Sequence, residues 1–250
     1  MYSMAEAAWR PVPPIPAREG CSICHGTGWE LMRSPTVTRA RRCSCHALWH
    51  LVEIKDRVGI PRRYEHCTLE NFSPLNLSQV RALAGARKFA DYSLNSGRQL
   101  FLAGTEGVGK THLAVGVLKE LLPRFGDSAT FVDFTNLFDG VFCDWSRLRK
   151  SRLLVLDSFG QIGPSGAGVK ISEELLEARL GSGRLTVLTG EPVRRSILFR
   201  KNLPSNASTT EIFLAALPPT LAFRFLSRTR ILSLEGEDFR RKSSRTATLI

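Results

Sequence analysis

The chain has 250 residues, of which 43% are hydrophobic and 23% are charged, as in globular proteins that bury a full core. It carries 35 Lys and Arg against 23 Asp and Glu, a net charge of +12. This charge favours a polyanionic partner, with nucleic acid the first candidate and a membrane surface the second. The alternative is an ordinary basic surface exposed to solvent. No run of about 18 apolar residues and no signal-peptide pattern occurs, so we expect no membrane span and a cytoplasmic protein.

The N-terminal part contains a cysteine cluster. We predict that residues 1–20, rich in Pro and Ala, form a flexible leader, and that residues 21–50 form a zinc-binding unit. Two short cysteine pairs separated by 18 residues, C-x2-C and C-x-C, place four thiolates where they can surround zinc tetrahedrally. The four are Cys21, Cys24, Cys43 and Cys45, with His25 and His46 as alternative ligands. Four structural thiols without a metal are the other interpretation, but so short a unit has little core of its own.

A connector is expected over residues 51–75, followed by a P-loop ATPase domain over 76–250. From residue 76 onward, helical stretches alternate with short apolar runs. This alternation predicts an α/β fold with a mainly parallel five-stranded sheet flanked by helices. The strand candidates are QLFLAG, ATFVDF, RLLVLD, RLTVLT and TRILSL, and the helix candidates are SQVRALAGARKFADYSLN, THLAVGVLKELL and ISEELLEARL.

A complete phosphate-loop motif follows the first of these strands and opens a helix. Its eight residues are Gly104, Thr105, Glu106, Gly107, Val108, Gly109, Lys110 and Thr111. Its glycines let backbone N–H groups turn toward phosphates, and the helix N-terminus adds a favourable dipole. Lys110 is expected to contact the β- and γ-phosphates, Thr111 to bind Mg²⁺, and His112 to belong to the nucleotide-binding set. We therefore predict ATP and Mg²⁺ as ligands.

The run RLLVLDSFG is typical of a buried strand whose tip faces the phosphates. Asp157 at its end is the predicted magnesium-side carboxylate. ATPases usually place a second acid next, to prepare the attacking water, whereas this chain has Ser158. A hydroxyl is a poor base at neutral pH, so hydrolysis should be slowed by about a hundredfold or more.

Together these features resemble the helicase-loader ATPases of the DnaC type and the related IstB-like transposition ATPases. The resemblance depends on the order of several segments along most of the chain. They are CSICHGTGW…RRCSC, GIPRRYEHCTLENF, the phosphate loop, LLVLDSFG and FRFLSRTRILSLEGEDFR.

The resemblance implies an AAA+ core that assembles into a homo-oligomer when ATP is bound. It implies that Arg228, with Arg224 as alternate, is an arginine finger that reaches a neighbour's γ-phosphate. It further implies that Arg240 is a second sensor within its own subunit. The chain departs from the family in three places. Ser158 replaces an acid, and Gly190–Glu191 stands where a polar sensor is usual, for which Thr189 could substitute. The segment between ATFVDF and RLLVLD is also short.

The leading hypothesis is an ATP-binding, helicase-loader-like protein of DNA replication. Its expected partners are a replicative helicase and single-stranded DNA, without a membrane, and its expected cofactors are ATP, Mg²⁺ and Zn²⁺. The alternatives are an IstB-like transposition ATPase and an ATP-dependent interaction switch that does not hydrolyse its nucleotide.

Overall fold

The computed structural model describes residues 21–25, 27, 29–33, 38–43, 57–92, 99–137, 144–161, 166–193 and 204–239. They fall into two compact units, within Met1–Glu53 and within Ile54–Ile250. The predicted leader, Cys45 and Arg240 lie outside the described residues. No helix in the described ranges is long and apolar enough to cross a membrane.

The first unit contains a two-stranded antiparallel hairpin beside the cysteines. Strand β1 is Trp29–Arg33 and strand β2 is Thr38–Arg42, paired so that Trp29 lies opposite Arg42. Arg41 Nη2 lies 2.8 Å from Glu30 Oε2, which adds an ion pair across the strands. The hairpin was not predicted, because β2 (TRARR) is rich in arginine and lacks the apolar alternation that marks a strand, and β1 (WELMR) is too short to be recognised alone.

The second unit is built on a parallel sheet of five strands in the order β4-β5-β6-β3-β7. The strands are β3 (Gln99–Gly104), β4 (Ala129–Asp133), β5 (Leu153–Asp157), β6 (Leu185–Gly190) and β7 (Thr229–Leu234). All residues of β3, β5 and β6 are buried, as their nearly continuous apolar sequences require of strands covered on both faces. The predicted five-stranded parallel sheet is confirmed.

Six α-helices are described in this unit. They are α1 (Leu77–Tyr92), α2 (Lys110–Phe125), α3 (Trp145–Lys150), α4 (Gly166–Ser182), α5 (Thr209–Ala216) and α6 (Pro219–Arg228), with 3₁₀ turns at Arg62–Tyr64, Gly126–Ser128 and Thr135–Leu137. The three predicted helices correspond to α1, α2 and α4. Two of the shorter helices begin at side-chain caps, Asp144 for α3 and the reciprocal pair of Ser208 and Glu211 for α5.

An aromatic cluster under the sheet positions the turn that follows β5. Phe159 is fully buried, 4.9 Å from the Phe134 ring and 5.2 Å from the Phe213 ring, measured between centroids. Its backbone N–H donates to the Thr189 carbonyl across 2.7 Å. Burying this ring therefore holds the chain immediately after Asp157 and Ser158 in one conformation.

Arg179 on α4 is a second buried anchor, and it was not predicted. Its side chain is 0% exposed and its guanidinium donates to the carbonyls of Leu148, Ser151 and Leu185 and to the Thr186 hydroxyl. Burial, and then the nearby charge of Arg184, lowers its pKa to about 9. The guanidinium thus joins the end of α3 to the first residues of β6.

Candidate nucleotide-binding site

The sheet order brings the carboxyl ends of three strands together. Strand β6 lies between β5 and β3, so the phosphate loop after β3, Asp157 at the end of β5 and Thr189 near the end of β6 meet at one edge. A cavity of about 570 Å³ opens there. This is the edge at which parallel α/β sheets bind ligands.

The phosphate loop joins β3 to α2, as its motif predicts. Gly107 and Gly109 have φ values of 71° and 95°, in the left-handed region that favours glycine. A Cβ at Gly109 would lie 2.6 Å from the Phe72 ring, so the space beside the loop also requires glycine. Helix α2 begins at Lys110, so its N-terminus faces the cavity, and Lys110 Nζ donates to the Thr105 carbonyl across 2.6 Å.

The two predicted magnesium ligands are in direct contact. Thr111 donates its hydroxyl hydrogen to Asp157 Oδ1 across 2.8 Å, and Thr189 donates to the same oxygen across 2.6 Å. Burial raises the pKa of Asp157, whereas the two hydroxyl hydrogen bonds lower it, Asp133 raises it and Lys110 lowers it. Asp157 is buried and accepts hydrogen bonds from two hydroxyl groups. Hard cations such as Mg²⁺ bind oxygen ligands, so Asp157 and Thr111 together are suited to bind one.

Ser158 occupies the place of the second acid and lines the cavity. Its φ of 60° is left-handed, which is uncommon for a residue other than glycine. Its backbone N–H donates to the Thr189 hydroxyl across 2.9 Å. The Thr189 hydroxyl, at the tip of β6, therefore bonds both Asp157 and Ser158. Thr189 is the residue that the sequence offered as a substitute for the usual polar sensor.

The connector forms the opposite wall of the cavity, which sequence reasoning missed. Its described part contacts α2 at three positions, His112, Gly116 and Lys119. Lys119 donates to the Glu65 carbonyl, and a Cβ at Gly116 would lie 2.9 Å from Leu69 N. The segment GIPRRYEHCTLENF was recognised in the sequence as part of the resemblance, but its place beside the site was not predicted, since that place depends on packing against α2. The connector residues that line the cavity are Arg63, Tyr64, His66, Cys67, Asn71, Phe72 and Ser73.

His112 joins the phosphate-loop helix to this wall. Its Nε2 lies 3.0 Å from the Thr68 carbonyl and 2.9 Å from Asn71 Oδ1, and its ring meets Phe72 edge-on with centroids 5.2 Å apart. Since both partners are acceptors, Nε2 carries hydrogen. Burial lowers the pKa of His112, while the bond to Thr68 raises it and the charges of His66 and Lys119 lower it. A neutral imidazole bridges the two elements.

The segment after β7 closes the cavity from the other side. The Phe239 N–H donates to the Gly107 carbonyl across 3.1 Å, and its ring lies 6.3 Å from Phe72. Asp238 packs on Gly107 so closely that an added Cβ would lie 1.8 Å from its Oδ1. The chain that leads to Arg240 therefore contacts the phosphate loop directly.

The predicted arginine finger lies elsewhere. Arg228 ends α6 and its Nη1 donates to the Leu180 carbonyl across 2.9 Å. Arg224 is exposed on the same helix. Neither arginine belongs to the described lining of the cavity.

In the first unit, three of the four predicted zinc ligands come together. The Sγ atoms of Cys21, Cys24 and Cys43 all lie within 4.8 Å of one another, and those of Cys21 and Cys43 are 3.8 Å apart. The turn is closed by the His25 N–H, which donates to the Cys21 carbonyl across 2.9 Å. None of these three cysteines is disulfide-bonded.

Sequence comparison identifies relatives over part of the chain. No family model matches. Over 142 residues the chain is 25% identical to the replicative helicase loader DnaC of Escherichia coli K12, a match that covers 52% of this chain and 58% of the relative. The DnaC protein of Shigella flexneri matches equally. The chain thus spans less than two thirds of the length of these curated relatives.

Structural comparison gives the fold. A crystal structure of the DnaC helicase loader matches with a TM-score of 0.56 at 24% identity, over 70% of this chain and 99% of that one. A DnaI structure matches with a TM-score of 0.55 at 18% identity, over 72% and 94% of the two chains. The replication initiator DnaA bound to AMPPCP and single-stranded DNA matches with a TM-score of 0.51 at 15% identity, over 77% and 57%. The AAA+ fold is confirmed, and so is the resemblance of this chain to the helicase-loader ATPases of the DnaC type.

Proposed function

We propose that this protein is a helicase-loader-like ATP-binding protein of DNA replication, in which Mg-ATP controls assembly on a replicative helicase or on single-stranded DNA and is hydrolysed slowly. The observation that carries the proposal is a complete phosphate loop whose Thr111 contacts Asp157 across 2.8 Å, followed by Ser158 in place of the second acid. The site has what binding requires and lacks the usual base for hydrolysis.

The phosphate loop accounts for nucleotide binding. Its N–H groups and the start of α2 would face the phosphates, and Lys110 would exchange the Thr105 carbonyl for phosphate oxygens. Thr111 and Asp157 would hold Mg²⁺, which supplies neutralising charge to the phosphates when bound. Thr189 would keep the Asp157 carboxylate oriented.

Slow turnover follows from the residue after Asp157. Ser158 lines the cavity, and a serine hydroxyl orients water without accepting its proton at neutral pH. Ser158 equally favours the alternative of a switch that binds ATP without hydrolysing it. Measuring the rate of ATP turnover distinguishes slow hydrolysis from none.

The nature of the partners is supported by charge and by the relatives. The net charge of +12 suits a nucleic-acid backbone. The relatives include a protein named a replicative helicase loader and an initiator solved with single-stranded DNA. Arg228, or Arg224, would act on the γ-phosphate of a neighbouring subunit in an ATP-dependent homo-oligomer, and Arg240 within its own subunit.

A zinc ion fits the cysteine cluster. A tetrahedral Zn²⁺ with Zn–S bonds near 2.3 Å would separate its sulfur ligands by about 3.8 Å. The distance between Cys21 and Cys43 Sγ is 3.8 Å. Cys21, Cys24 and Cys43 would be three ligands and Cys45 the fourth, and zinc would stabilise the small unit. Metal analysis of metal-replete protein should give one zinc per chain, and Cys43→Ser should remove it.

The test of function is complex formation with the replicative helicase of the host cell. Size-exclusion chromatography of the full chain with the helicase hexamer should show a complex that forms with Mg-ATP. The complex should fail with Lys110→Ala, which removes the phosphate-binding cation. Exposed Lys88→Ala on α1 is the control and should behave as wild type. Absence of any complex with or without nucleotide would remove the loader proposal.

A further inference from the structure

Helix α3 presents a row of cations to solvent. Leu148 on this helix is buried, whereas Arg147, Arg149 and Lys150 are exposed. A helix turns by about 100° per residue, so Arg147 and Arg149 flank Leu148 on its two sides and Lys150 points away from the core. Three positive charges therefore lie side by side on the outer surface of one short helix.

Two further arginines lie next to this row, one beside Arg147 and one at the C-terminal end of α3. Arg147 donates to the Arg57 carbonyl, and Arg184 Nη1 donates to the Arg149 carbonyl across 3.0 Å. Arg152, two residues after α3, is exposed as well. Together these residues form the α3 cationic surface, which comprises Arg57, Arg147, Arg149, Lys150, Arg152 and Arg184.

The acids that contact this surface leave a surplus of positive charge. Arg57 pairs with Asp127 across 3.3 Å, Arg149 pairs with Glu174 across 2.6 Å, and Asp144 caps the start of α3. The six cations and these three acids give a net charge of +3, from 6 minus 3. Within the described ranges, four of the cations form no ion pair with an acid. They are Arg147, Lys150, Arg152 and Arg184.

Arg179 lies behind this surface and adds to its positive charge. Its guanidinium donates to the carbonyls of Leu148 and Ser151 at the end of α3, where a helix otherwise presents partial negative charge. Its pKa is lowered to about 9, first by burial and then by the charge of Arg184, so it remains protonated at neutral pH. An anion that approaches the end of α3 therefore meets cations rather than open carbonyls.

The composition of this surface suits a nucleic-acid backbone better than a protein. Protein interfaces have an apolar core, whereas nucleic-acid interfaces are more polar and far more positively charged. None of the large apolar side chains that are exposed in the described residues belongs to α3 or to the segments around Arg57, Arg152 and Arg184. The α3 cationic surface thus offers charge without an apolar centre.

The described part of this surface also offers no exposed aromatic ring for unpaired bases. Trp145, the aromatic residue of α3, packs against the core. Proteins that bind single strands combine positive charge with aromatic rings on which bases stack. A duplex hides its base faces and presents its phosphates at about one charge per 1.7 Å of axis. The surface therefore matches a duplex better than a single strand.

We propose that the α3 cationic surface binds the phosphate backbones of a nucleic-acid duplex without reading the base sequence. This site goes beyond the proposed function, because it lies at the edge of the sheet opposite the phosphate loop. Strand β5 begins directly after Arg152 and ends at Asp157, and its length separates the two edges by about 16 Å. Binding of the duplex requires neither ATP nor the helicase.

The test is fluorescence anisotropy of a labelled DNA duplex of twenty base pairs with the full chain, without ATP and at several salt concentrations. Lys150→Gln should reduce the slope of log affinity against log salt by about 0.9, the loss of one phosphate contact, and weaken binding by roughly fivefold to tenfold at about 0.1 M salt. Arg152→Gln should do the same, and the double variant should lose about twice as much slope. Either a DNA or an RNA duplex satisfies the proposal, and tighter binding of one names the source.

Arg81→Gln is the matched control, because Arg81 is an exposed cation on α1 far from α3. Ser78, one turn before it, accepts the Glu235 N–H beyond the end of β7, so Arg81 lies toward the opposite edge of the sheet. This variant should bind the duplex as wild type does. Oligo-dT of twenty nucleotides should bind more weakly than the duplex. Urea midpoints check that each variant is folded, and Lys150→Gln changes only an exposed side chain.

Absence of duplex binding, or wild-type affinity and slope in both Lys150→Gln and Arg152→Gln, would overturn the proposal. Tighter binding of oligo-dT than of the duplex would overturn it as well. So would variants that keep their duplex affinity but no longer bind the helicase, since the surface would then contact protein. Failure of the loader proposal would appear differently, as a missing helicase complex while the duplex results stand.

Discussion

Thr189 donates its hydroxyl hydrogen to Asp157 across 2.6 Å and accepts the N–H of Ser158 across 2.9 Å. The tip of β6 thus orients both residues at the end of β5, one the proposed magnesium ligand and the other the residue that replaces an acid. This pairing requires β5 and β6 to be adjacent strands, which the sheet order provides.

Replacing Ser158 by Asp should raise ATP turnover by about a hundredfold, because the carboxylate can accept the proton of the attacking water. Asp tolerates the left-handed φ of 60° better than most residues, so the turn should persist. Phosphate release would be measured with and without single-stranded DNA. Ser158→Ala should stay as slow as wild type and Lys110→Ala should be inactive. Brisk turnover by the wild type would show that another residue prepares the water.

Replacing Thr189 by Val should weaken Mg-ATP binding by about tenfold. The change keeps the shape but removes the hydroxyl that bonds a buried carboxylate, an interaction of about 1.5–3 kcal/mol. Burial already raises the pKa of Asp157, so losing this bond makes the ionised ligand harder to maintain. Thr189→Ser keeps the hydroxyl and should bind nearly as wild type. Titration with a fluorescent ATP analogue measures both, and equal loss in the two variants would contradict the role of the hydroxyl.

His112 should make stability depend on pH. Its folded pKa is lowered from an ordinary value near 6.5, mainly by burial, so the unfolded chain binds the additional proton first as pH falls. The stabilising contribution of the neutral ring is present above pH about 6.5 and is lost as pH falls through that value toward the folded pKa. Urea unfolding of nucleotide-free protein should show this loss, and His112→Gln should lack it. If His112→Gln lost the same stability as the pH falls, the loss would belong to other titratable groups.

Two helical glycines should respond oppositely to alanine. Gly116→Ala should destabilise the protein by about 1–2 kcal/mol, because the new methyl group would lie 2.9 Å from Leu69 N in the connector. Gly181→Ala on α4 meets nothing within 4 Å and should stabilise by about 0.5–1 kcal/mol through helix propensity. Urea midpoints measure both. Stabilisation by Gly116→Ala would mean that the connector is not held against α2.

Replacing Arg179 by Met should destabilise the protein by about 3 kcal/mol or more. The guanidinium donates to the carbonyls of Leu148, Ser151 and Leu185, and its removal takes away these buried hydrogen bonds. Arg184→Met is the matched control, since this arginine is less buried and donates to one carbonyl, that of Arg149. Thermal unfolding should show a large loss for the first and a small one for the second. Similar losses would argue against the buried role.

Local patterns in the sequence determined the five strands of the sheet, the phosphate loop and Asp157. Such features depend on neighbouring residues, since an apolar run must be buried and a glycine-rich turn needs left-handed backbone wherever it occurs. The same patterns raised the question of Ser158, because the missing acid can be read without a structure.

Only the tertiary structure decided what surrounds these residues. The connector wall, the bridge from His112 to Thr68 and Asn71, and the contact of Phe239 with Gly107 join segments far apart in sequence. The role of Thr189 and the burial of Arg179 follow from strand order and helix packing, and neither leaves a periodic trace in the sequence. Long-range contacts satisfy buried polar groups that local patterns cannot pair in advance, and for that reason they required the fold.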